Sequence, residues 1–159
     1  MFDRRFVGNT TPYAVFNGSF ADRISGADKL VPANTYTRYE EMVSKLLVQQ
    51  STKPNSLLLG GKVTSNNGLI EADVVLTNIS KDPIYDASLY AVIYERVLKD
   101  GTWRNVVKGI TPVSEVKLGM GESGEYKLQH PNLHYSDDYG VVIILESANG
   151  SIMQAYQAK

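Results

Sequence analysis

The sequence predicts a mainly β chain: an antiparallel β-sandwich of seven or eight strands, preceded by a small β-hairpin and one helix. Three observations carry this. Short segments of β-branched and aromatic residues recur after Pro54, separated by Asn-Gly, Asp-Gly and Gly-x-Gly turns. Several of those segments alternate apolar and polar residues with a period of two. Before Pro54 the period changes to 3.6.

The first predicted elements are a strand at Tyr13–Phe16, a turn at Asn17-Gly18 and a strand at Ser19–Ile24. A helix follows from about Thr35. Tyr36, Tyr39, Met42, Val43, Leu46 and Leu47 fall on one face of it, and Arg38, Glu41, Ser44 and Lys45 on the other. Thr37 with Glu40 fits a capping box, with Asn34 as a competing cap and Pro32 at the entry. The polar stretch Ser51-Thr52-Lys53-Pro54-Asn55 reads as a linker. The expected domains are therefore 1–52 and 53–159.

Seven or eight strands are expected after the linker. Ser56–Thr64 and Ile70–Asn78 flank the turn Asn66-Asn67-Gly68. In the second of these, Ile70, Ala72, Val74 and Leu76 share the buried face, opposite Glu71, Asp73 and Thr77. Ala87–Leu98 is apolar on both faces and is placed centrally. Lys99-Asp100-Gly101-Thr102 signals a hairpin into Trp103–Ile110, followed by Val113–Leu118. Gly119-Met120-Gly121 breaks the pattern before Gly124–Gln129. Tyr139–Ser147 is the most apolar strand, and Asn149-Gly150 predicts a two-residue hairpin into Ser151–Gln157.

Composition narrows function. The chain has 159 residues, no cysteine and a formal charge of −1. Disulfides, thiol catalysis and cysteine metal sites are excluded, and no bulk charge draws nucleic acid. No apolar run approaches the ~20 residues that span a bilayer. No apolar h-region follows Met1-Phe2-Asp3-Arg4-Arg5. That predicts either a cytosolic chain or a secretory segment ahead of Met1.

No constellation stands out as catalytic. His130 and His134, with Asp137 and Asp138 behind, hold metal-ligand residue types. Pro131 makes that segment a loop, and exposed loop histidines are the simpler expectation. Glu71 and Asp73 suit acid–base work by type but sit on an expected solvated strand face. Ser80, Ser123 and Ser136 lack a nucleophile-elbow context. Gly119-Met120-Gly121 is too short for a dinucleotide fingerprint. Asn17, Asn78 and Asn149 each begin an Asn-x-Ser glycosylation pattern. No catalytic, cofactor or metal residue is therefore assigned. Tyr90, Tyr94, Trp103 and Tyr126 are the candidates for an exposed aromatic binding surface.

The run Asn9-Thr10-Thr11-Pro12-Tyr13-Ala14-Val15-Phe16-Asn17-Gly18, a second strand and a helix resemble the C-terminal half of a thioredoxin fold. The resemblance implies a cis peptide at Thr11-Pro12. It covers about the first fifty residues, and the family's Cys-x-x-Cys has no counterpart here, so redox chemistry does not carry over. The remainder resembles bacterial immunoglobulin-like modules near fibronectin type III. It does so at Val74-Val75-Leu76-Thr77-Asn78-Ile79-Ser80, at Leu89–Glu95 and at Leu118-Gly119-Met120-Gly121-Glu122-Ser123. Such modules follow thioredoxin-like domains in some cell-envelope proteins, which implies an extracytoplasmic location.

Half a thioredoxin fold leaves its apolar surface uncovered. Tyr13, Val15, Phe16, Tyr39, Met42, Val43, Leu46 and Leu47 gain ~1.5–3 kcal/mol each on burial. They are expected to self-associate or to pack on another protein domain. The expected function is a non-catalytic binding, spacer or assembly module without cofactor. The alternatives are a stand-alone adhesion or carbohydrate-binding sandwich, and an enzyme built on His130, His134 and Asp137.

Overall fold

A computed structural model describes residues 13–16, 19–25, 37, 40–45, 48, 56–66, 68–131 and 138–158. The chain divides into two compact units, Met1–Pro54 and Asn55–Lys159. In the first unit, β1 (Tyr13–Phe16) and β2 (Ser19–Ser25) form an antiparallel pair. Phe16 is registered opposite Ser19, the spacing expected of a hairpin centred on 17–18. Residues 40–45, with Thr37 and Val48, are helical. Thr11, Pro12, Tyr39, Leu46 and Leu47 lie outside the described residues, as do the side chains of Tyr13, Val15 and Phe16. Of the predicted helical stripe, Met42 is half-buried and Val43 is exposed.

The second unit is a sandwich of eight strands. They are β3 (Leu57–Asn66), β4 (Leu69–Asn78), β5 (Ile84–Lys99), β6 (Thr102–Ile110), β7 (Ser114–Leu118), β8 (Ser123–His130), β9 (Tyr139–Glu146) and β10 (Ile152–Ala158). One sheet runs β3-β4-β8. The other runs β10-β9-β5-β6, with β7 also pairing β5. All pairs are antiparallel. The chain crosses between sheets at β4–β5, β7–β8 and β8–β9, so β8 returns to lie beside β4 in a Greek-key path.

The core follows from the period-two pattern. Ile70, Ala72, Val74 and Leu76 of β4 are buried, facing Leu89, Ala91 and Ile93 of β5 and Val141, Ile143 and Leu145 of β9. β5 is central, where the sequence reading places it, between β9 on one side and β6 with β7 on the other. Gly61 lets the sheets close here. A Cβ on it would meet Ile143 Cδ1 at 2.6 Å and the Asp73 carbonyl at 3.1 Å.

The turns obey backbone sterics, with one correction. Asp100 and Gly101 both have positive φ, the signature of the two-residue turn that pairs Lys99 with Thr102. The Asn149-Gly150 connection is one residue longer than predicted. The Ser147 N–H donates to the Ser151 carbonyl, leaving Ala148, Asn149 and Gly150 in the loop. Gly150 closes a β-turn on the Ser147 carbonyl and has φ 84°. This is a three-residue hairpin ending in a left-handed glycine. Asn149 Oδ1 also accepts from Ser147 Oγ and the Ser151 N–H, which stabilises the longer loop.

Two buried polar residues hold places where the chain changes strand partners. Asn78, fully buried at the end of β4, donates from Nδ2 to the carbonyls of Asp82 and Gly119, at 2.9 and 3.0 Å, and more distantly to Leu118. Its Oδ1 accepts from the Ser80 N–H and hydroxyl. Its backbone N–H donates to Glu122 and its carbonyl accepts from Gly121. Thr111 sits between β6 and β7. Its N–H donates to the Ala91 carbonyl, and its Oγ1 accepts from the Ala91 N–H at 2.9 Å. The edge thus switches from β6 to β7 without orphaning a buried group of β5.

Replacing Asn78 with Ala is expected to cost about 2–4 kcal/mol in urea unfolding, with an unchanged m-value. Thr111→Val, which keeps the shape and removes the acceptor for the Ala91 N–H, is expected to cost about 1–3 kcal/mol, while Thr111→Ser costs less.

Candidate functional site

The two outward faces of the sandwich differ in chemistry. On the three-stranded sheet, Lys127 Nζ lies 2.7 Å from Glu71 and 3.5 Å from Asp73. Gln129 donates to the other oxygen of Glu71. Thr77 and Ser123 join their hydroxyls across β4 and β8. Leu58 and Val75 are exposed at one end, but most of this face is the solvated polar surface that its sequence predicts.

The five-stranded sheet presents the opposite. The register fixes its outward residues, because Leu89↔Leu145, Ala91↔Ile143 and Ile93↔Val141 are the inward pairs. The intervening pairs Tyr90↔Ile144, Val92↔Val142 and Tyr94↔Gly140 therefore face out. β6 continues this face with Ile110 beside Val92, Val107 beside Tyr94 and Trp103 beside Leu98. Trp103, Val107, Ile110 and Leu98 are all exposed, with Trp103 at 53% and Val107 at 54%.

Local contacts fix the aromatic rings. The Tyr94 ring packs across Gly140, where any Cβ would collide with it. Its hydroxyl reaches β10 and accepts from Gln157 Nε2 at 2.9 Å. Tyr90 donates to Glu146 Oε2 at 2.8 Å. The Arg96 guanidinium lies over the Trp103 ring, 4.7 Å from its centroid. Tyrosine hydroxyls are thus satisfied within the sheet, and what faces outward is mainly ring and aliphatic surface.

The structure therefore brings Tyr90, Tyr94 and Trp103 to one face. Tyr126 does not join them. It is paired with inward-facing Val74 and packs against the core, and burial there pushes its phenol above the ordinary value. The alternation of β8 explains the difference: Leu128 points inward, so Tyr126 does too. Val107, Ile110, Val142 and Ile144 were not singled out from sequence. Two-sided apolarity in β5 and β9 was the available signal.

The residues weighed for chemistry fall elsewhere. His130 ends β8 and packs against Gly109 across the sandwich, with Nδ1 buried and without a hydrogen-bond partner. His134 and Asp137 lie outside the described residues. No group of three His, Asp or Glu is placed to hold a metal among the described residues. Asn78 begins a glycosylation pattern, but its amide is committed to the core and cannot accept a glycan in the folded chain. Gly119-Met120-Gly121 is a corner in which Glu122 Oε2 accepts from the Gly119 N–H at 2.6 Å.

The fold has a solved counterpart. It is similar to HBP35 of Porphyromonas gingivalis. The likeness has a TM-score of 0.58 at 14% identity and covers 74% of this chain. The chain matches 45% of the length of HBP35. A domain of the outer membrane lipoprotein Omp28 from Porphyromonas gingivalis also aligns. Its TM-score is 0.48 at 9% identity, over 67% of this chain and 89% of that one. At such identities the HBP35 likeness speaks for the fold alone. No family model matches the chain, and no curated protein does.

Lys127 and Gln129, both bonded to Glu71, hold its carboxyl below the ordinary 4.5. The folded state thus favours the charged form. Its contribution to stability is present above 4.5 and is lost as pH falls through the lower folded value. A side-chain NMR titration is expected to place the Glu71 midpoint below 4.5, and Lys127→Met to move it up.

Proposed function

We propose that this chain is a non-catalytic binding or assembly module that acts through the outward face of its five-stranded sheet. The observation that carries this is the two-sided apolarity of β5 and β9. Strands apolar on both faces belong to sheets covered on both sides. In the sandwich, the three-stranded sheet covers one side. The other side offers Trp103, Val107 and Ile110 to solvent, beside half-buried Tyr90, Val92, Tyr94, Val142 and Ile144. Contiguous apolar surface of this kind marks an interaction site.

The wider setting we infer is an extracytoplasmic protein in which such a module follows or completes a thioredoxin-like part. The sequence resemblance of the first fifty residues supports this. The segment Tyr13–Phe16 and the helix are then a second association surface, with Val43 and Val48 exposed there. A carbohydrate-binding sandwich is the alternative, favoured by three aromatic rings on one face. Sugar recognition also needs polar groups beside the rings, and here the Tyr90 and Tyr94 hydroxyls are already bonded to Glu146 and Gln157.

Photo-crosslinking in the producing cells tests the face. A benzophenone amino acid at Val107 is expected to give protein adducts, while the same group at Lys62 or Glu125, on the polar face, gives none. Equal labelling from both faces, or none from Val107, would overturn the assignment.

A further inference from the structure

Resting on that assignment, we propose that the occupant of the apolar face is a second copy of this chain, packed sheet to sheet about a two-fold axis. The placement of charge on the face points to it. On β5 and β9 the outward charged side chains lie at opposite ends, while Glu115 of β7, registered opposite Ser88, is already bridged by Lys117 at 2.6 Å. Arg96 sits over Trp103 at the hairpin end. Glu146 sits at the other, paired with Ser88 in register. Between them the outward positions of β5 and β9 are Tyr90, Val92, Tyr94, Gly140, Val142 and Ile144.

The two charges are equidistant from the middle of the face. Along β5, Arg96 lies four residues beyond Val92; along β9, Glu146 lies four beyond Val142, and Val92 pairs with Val142. Each is therefore roughly 13 Å from that pair. A two-fold axis lying between the sheets, across the strands at this level, reverses strand direction and places Arg96 of each copy over the Ser88–Glu146 end of the other. Both contacts are then of opposite sign, and the apolar centres meet. Any isologous contact repeats itself, so one favourable pair becomes two.

The area suffices. Ser88 to Arg96, centred on Val92, spans roughly 26 Å, and four strands span roughly 19 Å, giving roughly 500 Å² per copy. The pair then buries roughly 1,000 Å², the threshold for a specific interface. Two aligned sheets pack about 10 Å apart in this way in sandwiches generally.

Sedimentation velocity on the full chain across the micromolar range tests this. The wild type is expected to be a dimer, and Val107→Lys with Ile110→Lys to be a monomer with an unchanged urea midpoint. Arg96→Glu and Glu146→Arg, each alone, place like charges in contact and are expected to weaken dimerisation by at least about tenfold. Mixing the two single variants restores both opposite-sign contacts, so a heterodimer is expected to form at wild-type strength. A monomeric wild type overturns the proposal. So does a dimer indifferent to all these changes, which would place association elsewhere, such as the first unit. If the wild type is monomeric while Val107 crosslinks a different protein, the second copy is excluded and the binding face stands. If Val107 yields no adduct, the binding face itself fails.

Discussion

Asn78 is the constraint on which the sandwich depends. A Greek key carries the chain from one sheet to the other, and each crossing leaves backbone groups without a ladder partner. Here one amide meets those needs at the end where β4, the 80–83 turn and the β7–β8 corner converge. Its Nδ2 and Oδ1 engage both turns, and its own backbone pairs with Glu122 and Gly121. No other residue type combines two amide donors and a carbonyl acceptor in so short a side chain. Glutamine has the groups but carries an extra methylene. Because the Asn78 side chain is fully buried, its polar groups would be costly to leave unpaired.

The consequence reaches the rest of the fold. Fixing the β7–β8 corner to the end of β4 sets the register of β8, in which Ser123 opposes Thr77 and Leu128 opposes Ala72. A slip by one residue would turn Leu128 outward and Lys127 into the core. Thr111 does the corresponding work on the other sheet, where two strands share one side of β5. Both polar residues are thus devices for changing partners, placed where the apolar pattern alone leaves the path undetermined.

Legibility from sequence follows the same division. Alternation in β4 identified its four core residues, and turn chemistry placed most of the strands to within a few residues, because period and positive-φ residues are local signals. The length of the Asn149-Gly150 loop is not legible from the dipeptide, because it depends on Ser147 and Ser151. The facing of Tyr126 is hard to read because it sits between Glu125 and Lys127, and the phase of β8 shows only once Leu128 is known to face inward. Asn78 looked like half of a glycosylation pattern; only its tertiary surroundings show that Ser80 is a hydrogen-bond partner.

The outward face of the five-stranded sheet shows how a strand's sequence can exceed its fold. β5 read as central, and it is, but a central strand in a sandwich needs only one apolar face. Lateral neighbours consume backbone hydrogen bonds, not side-chain surface. The second face of β5 and β9 is therefore unexplained by the sheet order, and the proposed binding face rests on it. Gly140 strengthens the point. A glycine weakens a strand, yet here it admits the Tyr94 ring, with which any Cβ would collide, onto the outward face.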